Sequence, residues 1–281
     1  MPAPTKLLLE DLCFPEGPRW HDGKLWFSDM HAKRVIRVGL DGRAENVVDV
    51  DNQPSGLGWL PDGRLLVVSM VDRKLLRLDG DGLREVADLS KIADFHCNDM
   101  VVDAHGRAYV GNFGYDLFSG EKPRPTALAL VHPNGKVHVA ARDLLFPNGC
   151  VITPDGRTLV VAESFGAKLS AFTIDSDGSL SSRRVFADLP GKVPDGICLD
   201  AEGAIWVASP PTQECIRVHE GGRISATVKV STQAFACMLG GPERKTLFIC
   251  TAADADPAKC LAERSGRIEY VEVDVPGSGL P

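Results

Sequence analysis

Six copies of one short frame contain the residues of this chain that could do chemistry. One position in the frame varies, and along the chain it is occupied by Glu16, Ser55, Asn98, Asn148, Asp195 and Ala236. Four of these six side chains end in a carboxylate or carboxamide oxygen. Oxygens of this kind, gathered at one point, are ligands that hard divalent cations prefer.

Each of these residues also has a local explanation. Asn98-Asp99, Asn148-Gly149 and Asp195-Gly196 are dipeptides typical of turns. Glu16, in Pro-Glu-Gly-Pro, could simply cap backbone amides. One copy alone therefore indicates no more than a turn, whereas four oxygen donors in equivalent positions favour a shared site.

The spacing of the frames predicts how their residues meet. Successive variable positions lie 39 to 50 residues apart, which is the length of one four-stranded propeller blade. A glycine-containing turn such as Pro61-Asp62-Gly63 follows each of the first five frames' opening strands, and further hairpins fill the intervals. We therefore predict an all-β fold, with residues 1–281 forming a single closed six-bladed β-propeller domain of four antiparallel strands per blade.

The last blade lacks one strand at the C-terminal end of the chain. Arg267–Val273 supplies one of its outer strands, and the N-terminal segment Lys6–Glu10 could pair with this blade and close the ring. Helical signals are few. Asp88–Ala93 could form one turn, and the polar segment Ala252–Glu263, with Pro257 inside, is predicted as a loop or a brief helix.

Equivalent positions on the inner strands of a propeller lie on a ring around its axis. Two carboxylates and two carboxamides near one centre would repel each other or stay unsatisfied without a cation. We predict one divalent cation held by Glu16, Asn98, Asn148 and Asp195. All-oxygen ligation suits Ca²⁺, our first choice, or Mg²⁺ or Mn²⁺, with Zn²⁺ and Fe²⁺ as alternatives.

Composition excludes several classes of partner. The net charge is −7 and no basic stretch rises above this background, so nucleic acid is not expected. The apolar run near the N-terminus is three leucines long and ends at Glu10, so we expect no signal peptide and no membrane anchor. The eight cysteines contain no CxxC pair and are expected to be reduced, buried residues of a cytoplasmic protein.

Five motifs together resemble one protein family. They are FPEGP at Phe14, FHCNDM at Phe95, LFPNG at Leu145, VPDG at Val193 and FACMLGG at Phe235. The chain resembles the senescence-marker-protein, gluconolactonase and luciferin-regenerating-enzyme family of six-bladed propellers from about Leu7 to Val273. The resemblance implies a metal-dependent lactonase or esterase. It also implies metal ligation by Glu16, Asn148 and Asp195, with Asn98 as a fourth ligand that touches substrate and Asp195 as the general base.

One departure from the family pattern concerns the substrate. Members that open sugar lactones commonly have an arginine two residues before the Asn98 position, where this chain has His96. The segment from Gly111 to Phe118 is aromatic and could form a lip over the channel mouth that prefers a less polar substrate, or it could be an ordinary loop. We predict that His96, Asn98 and Asp116 bind the substrate.

These observations support one leading hypothesis and two rivals. The leading hypothesis is hydrolysis of a small-molecule lactone or related ester at the cation, with Asp195 as general base. The first rival is a metal-binding or regulatory propeller without catalysis. The second is a serine or cysteine nucleophile, which has little support because no GxSxG motif occurs and the neighbours His96 and Cys97 should point to opposite faces of a strand.

Overall fold

A computed structural model describes residues 4–280 and contains six four-stranded antiparallel sheets. The chain begins with β1 (Lys6–Leu12). The first three blades are then β2 (Pro15–His21), β3 (Lys24–Asp29), β4 (Arg34–Val38) and β5 (Ala44–Asp49); β6 (Pro54–Trp59), β7 (Leu65–Ser69), β8 (Lys74–Asp79) and β9 (Gly82–Asp88); and β10 (Cys97–Val102), β11 (Ala108–Asn112), β12 (Thr126–Val131) and β13 (Val137–Leu144).

The second half of the chain repeats this arrangement. Its blades are β14 (Pro147–Ile152), β15 (Thr158–Glu163), β16 (Lys168–Ile174) and β17 (Leu180–Asp188); β18 (Ile197–Leu199), β19 (Ile205–Ser209), β20 (Glu214–Val218) and β21 (Ile224–Lys229); and β22 (Gln233–Gly240), β23 (Thr246–Ala252) and β24 (Gly266–Glu272), joined by β1. The predicted all-β six-bladed propeller is confirmed.

The sixth blade joins the two ends of the chain. Strand β1 pairs antiparallel with β24, so that Lys6 lies opposite Tyr270 and Leu7 opposite Glu269. The N-terminal strand is therefore the outermost strand of the last blade. Each inner strand contacts the inner strand of the next blade, and β22 contacts β2, which closes the ring.

Burial follows the position of a strand within its blade. Every residue of the inner strands β10 and β14 is buried, because each blade packs between two neighbours. In the outer strand β5, four of the six residues are exposed. The hairpin after β2 turns at Asp22 and Gly23, both with positive φ (49° and 71°), the geometry that two-residue hairpin loops require.

Helical structure is brief, as the sequence indicated. The polar segment near residue 260 forms α1 (Pro257–Glu263), whose first position is the proline and whose N-cap, Asp256, accepts a hydrogen bond from the Lys259 amide at 3.0 Å. After β9 the chain makes one turn, in which the Ala93 amide donates to the Leu89 carbonyl at 2.8 Å. Within residues 4–280, no helix has the length and apolar character that crossing a membrane would need.

Candidate active site

The four predicted ligands lie around one cavity. Glu16, Asn98, Asn148 and Asp195 all line a space of about 140 Å³ where the inner strands of four blades begin. Glu16, Asn98 and Asn148 are buried, and Asp195 is partly exposed just before β18. Ser55 and Ala236, from the two remaining blades, do not line it. The structure thus brings together residues that lie up to 179 positions apart in the sequence.

Glycines beside the variable position let neighbouring inner strands approach each other. The Gly149 amide donates to the Asp195 carbonyl at 3.3 Å, and the Gly196 amide donates to the Phe235 carbonyl at 2.8 Å. A Cβ added at Gly196 would lie 2.4 Å from the Cβ of Ala236, so any larger residue would push the fifth and sixth blades apart. The glycine in Asn-Gly and Asp-Gly therefore serves contact between blades.

Hydrogen bonds orient the polar groups. The Asn148 amide nitrogen donates to Asp195 Oδ1 at 2.5 Å and to Ser164 Oγ at 3.2 Å. Ser164 Oγ in turn donates to the Pro194 carbonyl at 2.8 Å. Glu16 Oε2 accepts from its neighbour, the Gly17 amide, at 2.7 Å, so the capping role that the sequence allowed is also present. Ser164 follows β15 and lies outside the repeated frame, so the sequence pattern did not identify it.

No lysine or arginine within residues 4–280 forms an ion pair with either carboxylate of the site. Burial, with the nearby Asp99 carboxylate, raises the pKa of Glu16 to about 8, against the Gly17 amide and Arg19. Burial, and then the charge of Glu16, raise the pKa of Asp195 well above its ordinary value. Among the described residues, no lysine or arginine lines the cavity. The charge of Glu16 therefore disfavours ionisation of Asp195.

The donor set fits a hard cation. Residues 4–280 contain no group of three or more His, Cys, Asp or Glu side chains that could hold a metal ion. The candidate site differs from such a group because two of its four possible ligands are amides. A cation would neutralise both carboxylates and use the amide oxygens. The nitrogen of Asn98 is buried with no hydrogen-bond partner, which marks a group that a bound molecule would satisfy. Rotation of the Asn148 amide by half a turn would present its oxygen instead of its nitrogen.

Apolar side chains form most of the rest of the cavity. We call one set the apolar wall: Phe14, Met30, Met70, Phe113, Phe146 and Phe235. Phe113 and Phe146 stack with ring centroids 4.4 Å apart, and Phe14 meets Phe235 edge to face at 4.6 Å. A second set, the apolar rim, is more exposed and consists of Leu117, Phe118 and Phe165. The wall was missed at the sequence level, although three of its phenylalanines, Phe14, Phe146 and Phe235, lie one or two residues before a variable position.

His96 and Asp116 do not line the cavity. His96 stacks on Phe95, with ring centroids 4.0 Å apart, and lies 6.0 Å from Phe113 of the apolar wall. Burial lowers its pKa, and the charge of Asp116 opposes this shift. The Asp116 carboxylate accepts hydrogen bonds from the Phe118 and Ser119 amides, both at 3.0 Å, and so shapes the loop that carries the rim.

The cysteines have the buried character expected from the sequence. All eight are free and buried. Burial raises the pKa of Cys97, the neighbour of Asn98, to about 12, which disfavours the thiolate that a nucleophile would need.

Known proteins resemble the chain over nearly its full length. The pentonolactonase of Haloferax volcanii is 26% identical over 248 residues, covering 84% of this chain and 81% of the relative. The 6-deoxy-6-sulfogluconolactonase of Pseudomonas putida is 24% identical over 275 residues, covering 95% and 93%. The crystal structure of a regucalcin from Agrobacterium tumefaciens, described as a calcium-binding protein, superposes with a TM-score of 0.82 at 23% identity, covering 99% and 96%.

The family assignment depends on a match across all six frames. The sequence profile of the SMP-30/gluconolactonase/LRE-like region matches residues 14–253, from the start of the first frame to the end of the strand that follows the sixth. The five motifs noted above fall within this range. The chain therefore belongs to the SMP-30/gluconolactonase/LRE-like family.

Proposed function

We propose that this protein is a metal-dependent hydrolase that opens a lactone, or a closely related ester, with one divalent cation. The observation that carries the proposal is the convergence of four oxygen-bearing side chains from four blades on one cavity, two of them carboxylates without a cationic partner. Relatives named for lactone hydrolysis support this reaction class. The substrate is a small molecule, either a sugar-acid lactone or a less polar lactone or ester.

Glu16, Asn98, Asn148 and Asp195 would hold the cation. Ca²⁺ remains our first choice because all four side chains offer oxygen, and the name of a structural relative points the same way. Zn²⁺, Mn²⁺, Mg²⁺ and Fe²⁺ are the alternatives to test. When bound, such a cation polarises a carbonyl and eases loss of a proton from water.

The chain's own residues would divide the remaining work. Asp195 accepts the proton of the attacking water, and the hydrogen bond from the Gly149 amide to its carbonyl holds its backbone beside the cavity. Glu16 contributes the second negative charge that balances the cation. Asn98 donates a hydrogen bond to the substrate from its unpartnered amide nitrogen. The apolar wall limits the amount of water around these groups, which strengthens each electrostatic contact.

The test combines metal analysis with a substrate panel. Purified protein should contain about one divalent cation per chain, and it should open lactones or aryl esters in a reaction that a chelator stops and added cation restores. A bound cation without chelator-sensitive turnover would overturn hydrolysis and favour the non-catalytic, metal-binding role. Activity that a thiol-alkylating reagent stops and a chelator does not would instead assign the chemistry to cysteine.

The cellular setting is also a proposal. Eight free, buried cysteines suit a reducing compartment, and we propose that the protein works in the cytoplasm. Fractionation of the source cells, with the redox state of the thiols measured by alkylation, tests this placement.

A further inference from the structure

We propose that the substrate of this site is a neutral lactone or ester with an alkyl or aryl substituent, and that the substituent binds against the apolar wall and rim. This inference rests on the proposed function and selects between its two substrate types. It follows from three features of the cavity: exposed apolar residues at its mouth, the absence of cationic groups, and the shortage of free polar groups.

The first feature is the exposure of the rim. Leu117, Phe118 and Phe165 are 37%, 51% and 41% exposed, and all three line the cavity that contains the predicted ligands. Large apolar side chains exposed together at a concave site indicate a surface that becomes covered when a ligand binds. The rim continues inward: Phe165 meets Phe146 of the apolar wall edge to face at 5.1 Å.

The second and third features are the charge and the hydrogen-bonding capacity of the lining. No lysine or arginine among the described residues lines the cavity, so an anionic substituent has no partner apart from the cation. Ser164 already donates to the Pro194 carbonyl and accepts from Asn148. The polar lining groups left, besides the four predicted ligands, are His31 and Gln53. A ring with several hydroxyls would bury most of them against phenylalanine without partners, which is unfavourable.

The preference can be measured with six-membered lactones that differ only in their substituents. We expect kcat/KM to rise about three- to fourfold for each methylene added to δ-valerolactone until the wall is covered, and glucono-δ-lactone to be the poorer substrate. Phe165→Ala and Phe118→Ala should each lower the ratio of alkyl-lactone to parent-lactone kcat/KM by about three- to tenfold. Ile224→Ala is the matched control, because Ile224 is a similarly exposed apolar residue of β21 that does not line the cavity.

Measurements of ligand binding distinguish failure of this inference from failure of the proposed function. The corresponding δ-lactams resist hydrolysis, so calorimetry of their binding reports the preference without turnover. Tighter binding of the alkyl lactam, weakened in Phe165→Ala, supports the inference even in the absence of turnover. Efficient opening of glucono-δ-lactone without an alkyl preference would overturn the inference and leave the proposed function intact.

A separate observation assigns a further substrate-binding residue, His31. Its side chain is only 6% exposed, lines the same cavity, and has no hydrogen-bond partner at either ring nitrogen. The ring lies 5.0 Å from Phe14 of the apolar wall, and the Ala255 carbonyl is close without hydrogen-bond geometry. A buried imidazole with two unmet hydrogen-bonding groups is costly, so we infer that a bound substrate supplies the missing partner.

Activity and stability together test the role of His31. His31→Phe keeps a ring and removes both nitrogens, so we expect kcat/KM to fall about two- to tenfold, mostly through KM, while the thermal midpoint stays equal or rises. His31→Gln keeps a donor and an acceptor and should recover part of the loss. A purely structural histidine would give a lower midpoint with unchanged KM, and that result would overturn the assignment.

Discussion

Two groups of buried charges lie next to each other on the inner strands, and only one contains its own counter-charge. Asp99, beside Asn98, forms an ion pair with Arg19 of β2 at 2.6 Å, and both side chains are almost fully buried. Arg19 also donates to the Leu57 carbonyl at 3.0 Å and the Met100 carbonyl at 2.6 Å, so it links three blades. Among the described residues, neither Glu16 nor Asp195 forms an ion pair with a lysine or arginine, and the charge of Glu16 raises the cost of ionising Asp195.

The difference separates a structural role from a functional one. Buried charges that are paired and fully hydrogen-bonded hold the blades in place. Buried charges left without a partner are unfavourable for folding, and they persist where a ligand supplies what is missing. The frames reflect this contrast, because Asn98 of the candidate site and Asp99 of the structural pair are adjacent in the sequence.

The largest expected effect is on catalysis. Asp195→Ala should lower kcat for a lactone by about 10²- to 10⁴-fold, because it removes the proposed general base and one ligand. Circular dichroism and the thermal midpoint should show a folded protein, since Asp195 belongs to the unpaired group. Turnover equal to that of the wild type would exclude the assignment.

A substitution in the paired group should lower stability rather than catalysis. Arg19→Met leaves Asp99 buried without a cation and should lower the free energy of unfolding by about 3–5 kcal/mol, measured in urea. Arg19→Met combined with Asp99→Leu removes both charges and should recover much of that loss. A single variant as stable as the wild type would mean that the pair contributes no stability.

Cation binding tests whether the unpaired carboxylates form the metal site. A divalent cation at one hundred times its dissociation constant should stabilise the chelator-treated protein by about 2.7 kcal/mol. Glu16→Gln should weaken this stabilisation, whereas Glu45→Gln, which changes an exposed carboxylate of the first blade, is the control and should not. Equal stabilisation of both variants would place the cation elsewhere.

The last prediction concerns how the free energy of unfolding of the metal-free protein depends on pH. The pKa of Glu16 is about 8 in the folded state, against an ordinary value of 4.5. Between these two pH values the folded protein keeps a proton on Glu16 that the unfolded chain loses. The contribution of Glu16 to the free energy of unfolding is therefore fully present below about pH 4.5 and is lost as the pH rises through 8. Glu16 alone should contribute a slope of up to about 1.4 kcal/mol per pH unit, and the raised pKa of Asp195 adds to it in the same direction.

Chemical denaturation across this range, with chelator present, measures that slope. Glu16→Gln removes the titrating group and should give a flatter profile than the wild type. Identical profiles for the two proteins would contradict the raised pKa.

The sequence was most informative where a pattern recurred. Six frames at blade spacing predicted the propeller, and the variable position predicted the four residues that line one cavity. His31 and Ser164 could not be predicted, because each occurs once, outside the frame. Gln53 lies two residues before Ser55, at a position whose residue type differs from frame to frame. His96 and Asp116 were chosen for their chemistry and their nearness to Asn98 along the chain; neither lines the cavity, and their role in substrate binding stays a prediction.

The amino-acid sequence by itself determined the repeat, the turn at each hairpin and the residue types at the variable position, because those depend on local backbone preferences and on residue order. Only the tertiary structure decided which charges would be paired. Arg19 reaches Asp99 across two blades, whereas Glu16 and Asp195 share a cavity that no described lysine or arginine lines. Electrostatic energies depend on distance and burial in the folded state, and neither can be read from separation along the chain.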